Sequence, residues 1–194
     1  MQRPPDFWAG HSHLWDEWVR DHGLPELPRT PVAFGDSVPV AYWVGVRTAA
    51  VLHLYRSQDE GAPEPHTGTD LRLLAMVGDG WEYRGGLRSW SADELLVPPV
   101  PAREVRLDYQ VCDWRAPDDD GCKALYGVVG VDAAIAEVEQ LGELTRRTVE
   151  APTGLFVVSV VADAPCTVRI LDRDGEVLAE IEEPAGVEGV PRRA

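Results

Sequence analysis

The chain has 194 residues, with 33 acidic side chains against 18 basic ones and a formal net charge of −15. That length suits one domain, or two small ones, around a real hydrophobic core, and 44% apolar with 26% charged residues is globular usage, not disorder. The longest apolar run, residues 155–162, is too short to cross a bilayer, and a surplus of carboxylates opposes phosphate binding, which excludes nucleic acid as a general ligand.

Residues 6–22 are predicted as an amphipathic helix. At about 100° per residue, Trp8, His11, Leu14, Trp15, Trp18, Val19 and His22 share one face, while Ser12, His13, Asp16, Glu17, Arg20 and Asp21 take the other. Gly23 stands where a left-handed cap residue is wanted. Residues 24–39 carry Pro25, Pro28, Pro31 and Pro39 and read as a stiff linker.

From residue 40 the pattern turns to β. Strands are expected over 40–46 and 49–55, then an exposed loop over 57–70, then a hairpin of 71–77 with 81–84 about Gly78-Asp79-Gly80. Residues 104–111 alternate cleanly, with Val105, Leu107, Tyr109 and Val111 on the dry face. Residues 132–144 fit a helix by propensity and a strand by alternation, and their place among strands favours the strand. Residues 146–150 and 154–161 are expected to pair, the second lying centrally in a sheet because it is apolar on both faces. A last hairpin, 167–171 with 176–181, turns about Asp172 to Gly175.

The expected architecture is therefore mostly β. An N-terminal helix (1–23) and linker (24–39) precede a β-rich region (40–103), an immunoglobulin-like β-sandwich (104–183) and a tail (184–194). The run from Gly127-Val128-Val129 through Gly154-Leu155-Phe156 to Asp172-Arg173-Asp174-Gly175 resembles β-sandwich segments of GC-rich bacterial proteins. Lys123 is the one lysine among the basic residues, a skew that reads as codon bias in a GC-rich genome rather than selection for arginine chemistry.

Candidate chemistry is sparse. His11 and His13 point about 160° apart on a helix and cannot share an ion. Asp118-Asp119-Asp120-Gly121 with Asp113, and Asp172-Arg173-Asp174-Gly175, lack the alternate ligand spacing and closing glutamate of a calcium loop. Gly78-Asp79-Gly80 lacks the lysine and helix of a phosphate loop, and Gly10-His11-Ser12-His13-Leu14 lacks the second glycine of a nucleophile elbow. No metal, cofactor or catalytic residue is assigned. Cys112, Cys122 and Cys166 are an odd set without a secretory signal before them, which reads as reduced cytosolic thiols, with Cys112 and Cys122 candidate neighbours across a hairpin.

The expected function is a non-enzymatic cytosolic protein-binding module, such as an acidic inhibitor or immunity-type protein covering a basic partner. Its contact residues would be Trp8, Trp15 and Trp18, as indole anchors, with Asp113, Asp118, Asp119 and Asp120 on an acidic loop. The alternative is a hydrolase or metal-dependent enzyme assembled from loops 57–70 and 113–121 and the N-terminal histidines. Much of the acid, including Glu137, Glu139 and Glu143, is expected on loops and wet strand faces.

Overall fold

The computed structural model describes residues 16, 19–23, 37–57, 65–89, 100–113, 121–149 and 154–185. It is mostly β. Among these residues run β1 (Ser37–Val44), β2 (Thr48–Ser57), β3 (His66–Val77), β4 (Gly80–Ser89), β5 (Val105–Asp113), β6 (Cys122–Val129), β7 (Ala133–Gln140), β8 (Glu143–Thr148), β9 (Leu155–Val161), β10 (Cys166–Asp172) and β11 (Val177–Glu183). They form three antiparallel sheets: β1-β2-β3-β4, β5-β6-β9 and β11-β10-β7-β8.

The first sheet is a meander of hairpins. β3 starts at His66, earlier than expected, because Thr67 to Asp70 continue the ladder with Leu54 to Arg56 and His53. β4 likewise runs through Gly85 and Gly86. A bulge skips Arg84, and Gly85 takes a φ of +134°, a region open to glycine. One face of this sheet, with Trp43, Ala50, Leu52, Leu71 and Leu73, joins a single apolar cluster with Tyr126, Val128, Leu155 and Val157. The Thr69 and Tyr126 hydroxyls stand 3.5 Å apart across that junction.

The ambiguous segment 132–144 is a strand and hairpin, not a helix. Two expectations nearby fail. Residues 146–150 do not pair with 154–161: β8 pairs with β7, and β9 pairs with β6. β9 is also an edge strand of its sheet, not a central one. β6 and β9 are buried along their whole length, and strands of both other sheets pack near them: β1, β2 and β3 of the first, and β7. A doubly apolar strand thus reports layering as readily as central position.

The dry face of β5 is interrupted as well. A register shift between Leu107 and Tyr109 leaves Leu107 exposed. Close packing nearby demands a glycine: a Cβ on Gly130 would stand 2.1 Å from the Pro101 carbonyl oxygen and 2.3 Å from that of Ala102.

No helix among the described residues is long and apolar enough to cross a membrane. Residues 16 and 19–22 are helical, and the Gly23 amide donates to the Val19 carbonyl at 2.8 Å with φ at +81°, the cap its position suggested. Val19 packs on the second face of the first sheet with Ala49, Val51 and Leu74. The helical wheel fails at two places, however. Asp16, expected in solvent, is buried, and His22, expected inside, is exposed. Charged partners waiting on the sheet explain Asp16.

Candidate functional site

Those partners form a largely buried polar cluster. His53 on β2 has no solvent exposure, and its Nε2 lies 2.9 Å from Asp16 Oδ1. Arg72 on β3 donates to Asp16 Oδ2 at 3.3 Å and to Asp70 Oδ2 at 3.0 Å. Burial pulls the Arg72 guanidinium down, but the charges of Asp16 and Asp70 outweigh it and hold Arg72 above its ordinary value. An Asp–His pair suggests general-base chemistry. His53 Nδ1 has no hydrogen-bond partner among the described residues. The cluster clasps the helical residues to the sheet, aided by Arg20 stacking 5.5 Å from the Trp81 ring centre.

The cysteines supply no nucleophile among the described side chains. Cys122 and Cys166 are buried thiols outside any disulfide. Burial pushes the Cys166 thiol up to about 11, Lys123 works against that rise, and Glu183 adds to it. At neutral pH such a thiol is an inert packing group. Cys112 sits opposite Lys123 and Asp113 opposite Cys122, so the two cysteine positions are offset by one step of the ladder rather than facing each other.

Charge on the β11-β10-β7-β8 sheet is organised rather than diffuse. Arg169 on β10 donates to Glu180 (2.6 Å), Glu137 (3.2 Å) and Glu139 (3.2 Å), and Arg146 on β8 donates to Glu137 at 2.5 Å. Three carboxylate hydrogen bonds hold Arg169 well above its ordinary value. Glu137, expected on a wet face, is only 5% exposed because two arginines lie over it. Lys123, itself buried, is paired with Glu183. Asp172 Oδ1 accepts the amides of Asp174 (3.0 Å) and Glu176 (2.9 Å) and so holds its own turn, while Oδ2 lies 3.6 Å from Arg103.

A cleft lies where the β1–β2 turn meets the β7–β8 hairpin. Leu141 has a φ of +56° and Gly142 one of +77°, a two-residue turn with both residues left-handed. A leucine there is strained, since Asn, Asp or Gly is the residue such turns favour. Even so, 57% of it is exposed, across a cleft from exposed Val46. On the far side of Leu141 opens a groove of about 470 Å³, lined by Glu139, Gln140, Pro165, Cys166, Glu182 and Glu183 among others. Its floor is firm, because the Gln140 amide donates to the Val161 and Ala164 carbonyls (2.8 and 2.9 Å) and accepts from the Val161 amide (2.8 Å).

Of the residues singled out from sequence, Trp8, Trp15, Trp18, Asp118, Asp119 and Asp120 lie outside the described residues, as does residue 11. Asp113 ends β5, with only its backbone position described. His66 belongs to β3 rather than a loop, edge-on to Tyr55 at 6.2 Å. Among the described residues no three His, Cys, Asp or Glu side chains gather to hold a metal ion. No protein-family model, curated protein or solved structure matches the chain.

Proposed function

We propose that the chain is a non-enzymatic, cytosolic protein-binding module that docks a basic, apolar-bearing partner on its hairpin-tip surface. The observation that carries this is Leu141: a bulky apolar side chain held exposed in a left-handed turn that a polar residue would fill with less strain. Val46 extends the apolar area across the cleft, exposed Glu143 and Arg47 stand on the same cleft, and exposed Glu182 lines the adjoining groove. Such a layout suits an apolar anchor flanked by Lys or Arg, with the net charge of −15 steering the encounter. Trp8, Trp15, Trp18, Asp113, Asp118, Asp119 and Asp120 stay in the proposal as contact residues on the sequence argument alone.

The proposal includes an immunoglobulin-like sandwich for β5 to β11. Its support is that β5 to β11 form two antiparallel sheets, β5-β6-β9 and β11-β10-β7-β8, whose apolar residues belong to one cluster that the first sheet shares. Hairpin tips at the end of such a sandwich are free to vary without disturbing the core.

The test is affinity capture from the native host with the wild-type chain and with Leu141→Asp, followed by mass spectrometry. A stoichiometric partner retained by the first and lost by the second is the expected result. Equal recovery by both proteins would refute the tip as the docking surface.

A further inference from the structure

We infer that the cleft between the β1–β2 turn and the β7–β8 hairpin binds one ordered water molecule, held by the Trp43 indole and the Ser159 hydroxyl. Trp43 Nε1 and Ser159 Oγ are both buried and have no hydrogen-bond partner among the described residues. Trp43 is 1% exposed and Ser159 2%. Buried polar groups are nearly always satisfied, and two orphans lining one cavity call for a shared partner. That cavity measures about 20 Å³ and is lined by both residues. Such a volume admits a single water, which needs at least ~10–15 Å³, and nothing larger.

The chemistry of the site fits the same occupant. An indole only donates, whereas a hydroxyl both donates and accepts, so a water can accept from Trp43 Nε1 and bond Ser159 Oγ in either sense. Gly45 keeps the space clear. A Cβ there would come 3.1 Å from Trp43 Nε1 and 3.4 Å from the carbonyl oxygens of Ser159 and Thr48. Both carbonyls therefore border the same small volume and offer it lone pairs, while Thr145 and Gln140 also line the cavity.

This water joins three pieces of chain: the β1–β2 turn through Trp43 and Gly45, β9 through Ser159, and the β7–β8 hairpin that closes the cleft. Val46 and Leu141 line the same cavity, one from each tip. The inference is independent of the proposed function, since it concerns only the satisfaction of buried groups.

The test uses the full ¹⁵N-labelled chain, with the Trp43 indole signal assigned by its loss in Trp43→Phe. A direct dipolar cross-peak between water and the Trp43 indole proton, with the rotating-frame sign that separates contact from exchange, is expected. Ser159→Ala gives a second readout that depends on sign. With water bound, the variant loses a hydrogen bond and its Tm falls by about 2–4 °C. In a dry cavity it would instead relieve an orphaned hydroxyl and raise Tm. No water cross-peak, or a raised Tm in Ser159→Ala, overturns the inference.

Discussion

Replacing Asp16 by alanine removes the centre of the buried cluster that fastens the helical residues to the first sheet. The Asp16 side chain is 2% exposed, and its two oxygens serve His53 at 2.9 Å and Arg72 at 3.3 Å. Its loss leaves His53 buried with neither ring nitrogen hydrogen-bonded among the described residues. Breaking a buried charged pair by removing one partner costs about 3–5 kcal/mol. Arg72 keeps Asp70 at 3.0 Å and is 11% exposed, which favours the lower end, about 3 kcal/mol. In a chain of this size that is a fall in Tm of about 6–12 °C. Thermal unfolding at neutral pH measures it, and hydrogen exchange at the amides of residues 49–55 locates it. Replacing Asp16 and His53 together by leucine removes both polar partners and restores more than half of the loss. A single-variant loss under about 1 kcal/mol, with unchanged exchange across β2, would refute the clasp.

Other substitutions test separate features. Leu141→Asn places a residue tolerant of the left-handed turn at φ +56° and raises Tm by about 2–4 °C; an unchanged or lower Tm would show that the turn carries no strain. Gly130→Ala forces a methyl onto two backbone oxygens at 2.1 and 2.3 Å and prevents accumulation of folded protein, whereas Gly142→Ala, with open space around it but a φ of +77°, costs only about 1 kcal/mol. Comparison of soluble yield and Tm separates them, and equal behaviour would contradict the packing around Gly130. The Cys166 thiol, raised by burial to about 11, is protonated in the folded chain while an unfolded thiol ionises near pH 8.5. Its stabilising contribution is therefore complete below about pH 8.5 and is lost as pH rises through 11. Alkylation of Cys166 by iodoacetamide at pH 7.5 should run at least about 100-fold slower than in the denatured chain; comparable rates would remove the burial argument.

Much of the fold follows from local rules. Alternation placed a strand at 132–144, Gly78-Asp79-Gly80 fixed a hairpin, and Gly23 ended the helical residues, because each depends on neighbours within a few positions. Pairing between distant strands was harder to read. The residues of β9 are buried on both faces, and no local pattern distinguishes a central strand from an edge strand covered by a second sheet. Burial of Asp16 depends on His53 and Arg72, 37 and 56 positions away, which a helical wheel does not contain. Glu137 misled for the same reason, since Arg146 and Arg169 cover it only after β8 and β10 flank β7. Arginines that look like compositional bias hold much of the structure's charge in register. The hairpin-tip surface was hidden because Leu141-Gly142 resembles ordinary apolar sequence until its turn is known to be left-handed. At Asp172 the turn is held by one of its own oxygens, Oδ1, which accepts the amides of Asp174 and Glu176.

The central claim is that the two hairpin tips form a docking surface for a basic, apolar-bearing partner. Its most direct test is amide chemical-shift mapping of the labelled chain with a synthetic alternating Lys-Leu peptide, and with the matching Glu-Leu peptide as control. Shifts at residues 45–48, 139–145 and 182–184 with the lysine peptide alone, abolished by Leu141→Asp, are the expected result. Absence of shifts with the lysine peptide, or equal shifts with both peptides, would contradict it.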